Sequence, residues 1–146
     1  MTAVLHGTVL NYDEHVTDGS SNYSISATTF ANVDGTNLVL QLTIDAQART
    51  GQALVSWHAN TTVPAGQIGY WNLNVNGTLH AANDGILAIG EGTLPSSFTR
   101  LVTGLTVGTL NTIALSAKVT GGTMTVYNGA GTSTLDLHPQ FAGIVL

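Results

Sequence analysis

Five histidines, at positions 6, 15, 58, 80 and 138, and eight acidic residues are the groups through which this chain could hold a metal or move a proton. The tightest grouping is Asp13-Glu14-His15 with Asp18, an oxygen-rich run of the kind that can ligate a divalent ion. Neighbours in an extended chain point to alternate sides, so adjacent residues rarely ligate one ion together, and a solvated acidic loop accounts for the same residues. Asp45, Asp84, Glu91 and Asp136 could meet in space as a carboxylate pair, but nothing in their spacing brings them together. The chain has no H-E-x-x-H, no G-x-S-x-G and no phosphate-binding glycine loop, and Gly90-Glu91-Gly92 reads as a turn. We therefore expect no enzyme activity, no cofactor and no metal. The absence of cysteine excludes disulfides and thiolate sites.

Aromatic residues offer a second chemistry. Trp57-His58 and Tyr70-Trp71 could stack on a sugar, with Trp57 and Tyr70 as the glycan-binding candidates. Trp71 shares its strand face with Leu73 and Val75 and reads as core. Asn22-Tyr23-Ser24, Asn60-Thr61-Thr62 and Asn76-Gly77-Thr78 match the glycosylation acceptor pattern, as chance would allow in a chain this rich in Asn, Ser and Thr.

Charge limits the partners. Only 8% of residues are charged, against roughly 25% in ordinary soluble domains. Three basic residues against eight acids leave a net charge of −5, which argues against nucleic acid, whose phosphates need lysine and arginine. So little charge fits a surface covered by copies of itself or by a larger assembly. The N-terminus lacks a basic region followed by an apolar run, and no segment reaches the ~20 apolar residues of a membrane span, so no membrane partner is expected. Synthesis and assembly in a cytoplasm follow as the expectation.

The elements that would position these residues are strands. At 146 residues the chain fits one compact domain with a real core. Residues 3–10 alternate weakly, and residues 11–29 are polar and read as a long loop or extended arm. Residues 1–36 are thus an N-terminal arm region with a first strand, and 37–146 the β-sandwich proper. Leu38, Leu40, Leu42 and Ile44 alternate with Val39, Gln41 and Thr43, residues 53–58 and 68–75 make further strands, 97–105 alternates through Phe98, Arg100, Val102 and Gly104, and Ile86 to Ile89 is a short apolar strand. Asn76-Gly77 is a strong hairpin signal, although a two-residue turn sets Leu79 opposite Asn74, which implies a longer loop or an edge strand. Phe141 to Leu146 makes a last strand, entered through Pro139. Eight to ten short strands with no amphipathic helix indicate an all-β antiparallel sandwich or jelly roll.

The clearest stretch is Thr109 to Tyr127. Ile113, Leu115, Ala117 and Val119 alternate with Thr112, Ala114, Ser116 and Lys118 up to Gly121-Gly122, and Met124 and Val126 follow. A tight turn at the two glycines pairs Val119 with Met124 and Ala117 with Val126, the apolar positions of both strands. The outer face, free of charge except for Lys118, suits an intersubunit contact, with Thr112, Ala114, Ser116, Lys118 and Tyr127 as the candidates.

From Phe98 to the C-terminus the chain resembles the trimeric jelly-roll modules, similar to the tumour-necrosis-factor and C1q fold, of tailed-bacteriophage virion proteins. The residues that carry the resemblance are the strand Phe98–Thr103, the Gly-Leu-Thr-x-Gly connection at Gly104–Gly108, the strand Asn111–Val119 ending in Gly121-Gly122, Val126-Tyr127-Asn128-Gly129, and His138-Pro139-Gln140-Phe141. The resemblance implies a homotrimer on the virion surface, made in the host cytoplasm, with no shared catalytic residues. A chain of this length looks more like a capsid decoration (cement) protein, bound to the major capsid protein, than a tail fibre. Residues 1–29 are the expected capsid-facing arm, with Val4, Leu5, Tyr12, Asp13, Glu14 and Tyr23 as contact candidates. The alternative is a minor tail or tail-tip protein with a glycan- or receptor-binding jelly roll.

Overall fold

The computed structural model describes residues 12–16, 21–46, 50–129 and 138–146. Val4, Leu5, Asp18, Asp136 and the strand expected at 3–10 lie outside the described residues. Those described contain twelve strands and no helix. In order they are β1 (Tyr12–Val16), β2 (Tyr23–Ile25), β3 (Ala31–Asn32), β4 (Val39–Thr43), β5 (Gln52–Val63), β6 (Gly69–Val75), β7 (Thr78–Leu79), β8 (Leu87–Ile89), β9 (Gly92–Thr103), β10 (Leu110–Val119), β11 (Met124–Val126) and β12 (Gln140–Val145).

Two antiparallel sheets result. In the first, β5 is the long central strand. Its whole length pairs with β9, and its other edge pairs with β12 over Ala53–His58 and then with β11 over Thr61–Thr62. β1 adds to β12 and β2 to β11. In the second, β10 is central, flanked by β6 on one side and by β4 and β3 on the other, and β7 and β8 share the outer edge of β6. Taking the main strands alone, β1-β12-β5-β9 faces β4-β10-β6-β8. Along these eight main strands the chain crosses between sheets at every step but β6 to β8, which is the strand order of a jelly roll.

The core is the product of alternation. Val55, Trp57, Phe141 and Val102 point inward from the first sheet, and Leu40, Leu42, Trp71, Leu73, Ile113 and Leu115 from the second, all essentially without solvent exposure. Trp57 sits at its centre, 5.1 Å from Trp71 and 6.3 Å edge-on from Phe141 between ring centroids. Gly143 keeps this layer close: a Cβ there would lie 2.8 Å from Leu40 Cδ1.

Two sequence expectations change and one holds. The Thr109–Tyr127 stretch is not a hairpin: β10 lies in the second sheet and β11 in the first. Only Gly122 of the glycine pair has positive φ, +67°, whereas a two-residue hairpin of type I′ needs both. Thr120 instead continues beside β6, through its N–H to Ile68 O and its Oγ1 to Ile68 N. Val119, Met124 and Val126 are all buried because both strands face one interior, so the same apolar pattern fits a sheet-to-sheet corner. Asn76-Gly77 does form the expected tight turn, with φ of 50° and 87°, Asn74 opposite Leu79, and β7 on the sheet edge. Finally, the polar segment 11–29 is not a free arm within the described residues: β1 and β2 are paired into the first sheet.

Asp34 closes the loop before β4. Its Oδ1 accepts the N–H groups of Thr36 (2.8 Å) and Asn37 (2.9 Å), and its Oδ2 accepts Asn37 Nδ2 (2.9 Å). Burial pushes this carboxyl up, but the bonds from Asn37, Thr36 and Tyr23 outweigh it and hold Asp34 below its ordinary value. A depressed folded-state value gives stability that is complete above the unfolded value of about 3.9 and is lost as pH falls through the folded one. Unfolding followed from pH 6 down to pH 2 should therefore show an acid-dependent loss that Asp34→Ala reduces; an identical pH profile in the variant would contradict this role.

Candidate interaction face

The first sheet has an outer face that no other described element of the subunit covers, with Tyr12, Leu54 and Leu101 exposed on it. Cross-strand register sets its residues in rows. One row runs Tyr12, Ile144, Leu54 and Leu101 across β1, β12, β5 and β9. Three of these large side chains are well exposed: Tyr12 by 53%, Leu54 by 39% and Leu101 by 44%. Leu146 extends the apolar end and is also exposed. Tyr12, Leu54, Ser56, Ala142, Gly143 and Ile144 line a shallow hollow of about 140 Å³ within this face. The following rows are more polar and carry one acid: Glu14, Ala142, Ser56 and Thr99, then Val16, Gln140, His58 and Ser97.

Glu14 is the one carboxylate in these rows. Hydrogen bonds from the Tyr12 hydroxyl and then the Gln140 amide hold it below the usual carboxylate range. The same bond, with burial and the nearby Glu14 and Asp13 charges, raises the Tyr12 hydroxyl. Glu14 therefore stays ionised, with its oxygens hydrogen-bonded by neutral neighbours on the face.

The sequence candidates fall in different places. Tyr12 and Glu14 lie on this face. Asp13 and His15 point the other way, with Asp13 Oδ2 3.5 Å from His15 Nε2 and accepting Gln41 N–H at 2.6 Å, which caps the free edge of β4. Glu14 therefore cannot join them around an ion, and no group of three His, Cys, Asp or Glu residues among the described ones is placed to hold a metal. Tyr23 is half-buried against the core.

The intersubunit candidates on β10 are corrected. Ala114 and Ser116 are 5% and 1% exposed, because their own subunit covers them. Ser116 Oγ donates to Asn32 Oδ1 at 2.9 Å. The segment after β7 is tied down over the same face: buried Asn72 bonds Ala81 O at 2.9 Å and Ala81 N at 3.1 Å. Lys118 donates to Asn83 O, its Nζ lying 4.6 Å from the Phe30 ring and 4.9 Å from the Tyr70 ring. Thr112 remains exposed, and Tyr127 lies beyond β11 on the first sheet, bonded to Thr62 Oγ1 at 3.1 Å. The glycan candidates change as well. Trp57 is 1% exposed, with both ring faces in the core, and Tyr70 is half-buried beside the Lys118 ammonium.

Sequence reasoning missed Leu54, Leu101 and Ile144. Leu54 and Ile144 each sit between two inward apolar or small residues, in Ala53-Leu54-Val55 and Gly143-Ile144-Val145, and Leu101 directly precedes the buried Val102. An apolar residue at the outward position of an otherwise alternating strand was the available signal.

At the open edge between the sheets, Arg100 Nε donates to His80 Nε2 at 3.3 Å. Burial, and then the Arg100 charge, lower His80, which keeps it neutral and able to accept.

No protein-family model matches the chain, and no curated protein matches it. Among solved structures it is similar to the Eiger TNF from S. frugiperda, at 13% identity over 94% of this chain and 92% of that one, with a TM-score of 0.49. The jelly-roll assignment rests on the strand order described above.

Proposed function

We propose that this protein is a bacteriophage capsid decoration protein, a homotrimer that binds the major capsid protein lattice and stabilises the head. The observation that carries the reading is the outer face of the first sheet. It presents an exposed apolar row and a single, already hydrogen-bonded carboxylate, in a chain with only 8% charged residues. Depletion of charge with enrichment of aromatic and aliphatic residues is the composition of interface cores. Copies of the same chain are the occupants this face suits, since each supplies an equally charge-poor surface.

The stabilising mechanism would be cross-bridging. A trimer touching several capsid subunits adds contacts that must break before the shell ruptures, and multivalency strengthens weak individual contacts. Tyr12 and Glu14 then belong to self-association, and Asp13 is used inside the subunit. Val4 and Leu5 are retained as capsid-contact candidates. Deleting residues 1–29 would remove β1 and β2, so the cleaner variant is Val4→Asp with Leu5→Asp.

Labelled protein should be seen on heads by negative-stain microscopy of the encoding phage, and the double variant should stay oligomeric but no longer bind. Label confined to the tail tip would favour the minor tail, receptor-binding alternative, and a label on neither would overturn both. A glycan site in that alternative would need aromatic residues other than Trp57 and Tyr70.

A further inference from the structure

The chain contains two Asn-Gly steps, Asn76-Gly77 and Asn128-Gly129, the dipeptide in which spontaneous deamidation is chemically easiest because glycine leaves its own nitrogen unhindered. The glycine N–H loses its proton to solvent base, and that nitrogen attacks the Asn Cγ. Ammonia leaves with Nδ2, and water opens the resulting ring to aspartate or isoaspartate. One water is consumed and one ammonia released.

The fold treats the two steps differently. At Asn76 both ends of the carboxamide are held. Oδ1 accepts Thr112 N–H at 2.8 Å, and Nδ2 donates to Asn111 Oδ1 at 2.9 Å. With Asn76 N–H on Thr112 O at 2.9 Å, the side chain extends the β6–β10 ladder past the turn. Asn111 is fully buried and fixed in orientation, since Oδ1 also accepts Thr106 N–H while Nδ2 donates to Thr106 O and Thr109 O. Cγ of Asn76 cannot turn toward Gly77 N until this network opens.

Asn128 is 4% exposed and its backbone N–H donates to Asn22 Oδ1 at 3.0 Å, yet its carboxamide Oδ1 has no hydrogen-bond partner and its Nδ2 makes only a 3.3 Å bond to Ser21 O. An unpaired buried oxygen already carries its desolvation cost, so local opening to water regains a bond there instead of breaking one. We propose that Asn128 is the deamidation site of the folded protein and that Asn76 is protected by its bonds to Thr112 and Asn111. Conversion at Asn128 would set a carboxylate oxygen against Ser21 O in place of the donor, and so weaken the attachment of the segment leading into β2.

Peptide mass mapping of the wild-type chain over time in mildly alkaline buffer tests this, run once native and once in urea. Because the two sites share their dipeptide, urea should give similar rates. The native protein should modify Asn128 about tenfold faster than Asn76, the effect of the additional bonds that Asn76 must break. Amide exchange in residues 23–25 should rise in the modified fraction. Equal native rates, faster reaction at Asn76, or an inert Asn128 over the time in which urea modifies both would overturn the proposal.

Discussion

Leu54→Asp should separate the proposed homotrimer into folded monomers. Leu54 stands between Ile144 and Leu101 in the exposed row, with its side chain directed away from the core. An aspartate there costs the isolated subunit little, because it meets water. In the assembly it would bury an unpaired charge in each contact, and central apolar positions of interfaces typically cost about 2–4 kcal/mol when disrupted. Sedimentation velocity should show the smaller species with an unchanged β-sheet circular dichroism spectrum. A variant that sediments like the wild-type oligomer would remove this face from self-association.

Trp57→Ala should have the largest effect on stability. Its neighbours, Trp71 and Phe141, come from opposite sheets, so the cavity would open where the two layers meet. Large aromatic-to-alanine changes in cores cost about 3–5 kcal/mol, a large share of the roughly 5–15 kcal/mol that holds a domain folded. Urea unfolding should shift to a much lower midpoint, or the chain should fail to fold. A stable Trp57→Ala protein would contradict the core position and reopen the ring as a ligand platform.

Individual strands were legible in the sequence because one buried face imposes a period of two. Leu38 to Ile44 and Ile113 to Val119 followed it closely, and Asn76-Gly77 marked its turn by the need for positive φ. Which sheet each strand joins was not legible. Val119 and Met124 face the same interior whether they pair in one sheet or face each other across two, so Gly121-Gly122 suited either reading. Segment 11–29 reads as a loop or arm because β1, Tyr12–Val16, lies on a sheet edge and turns polar Asp13 and His15 to its inner side, the reverse of the usual alternation. Small residues misled at β10: Ala114 and Ser116 looked like an open face, but small side chains also let the segment after β7 close over them. The candidate face was hidden for a different reason. Its row collects Tyr12, Leu54, Leu101 and Ile144 from four strands, and a single outward leucine is ordinary on any surface. Only the register turns them into a patch.

The most direct test of the proposed self-association through this face is the native mass of the wild-type protein at micromolar concentration. A species at three times the 15.1 kDa chain mass is expected. A single-chain mass under those conditions would contradict it.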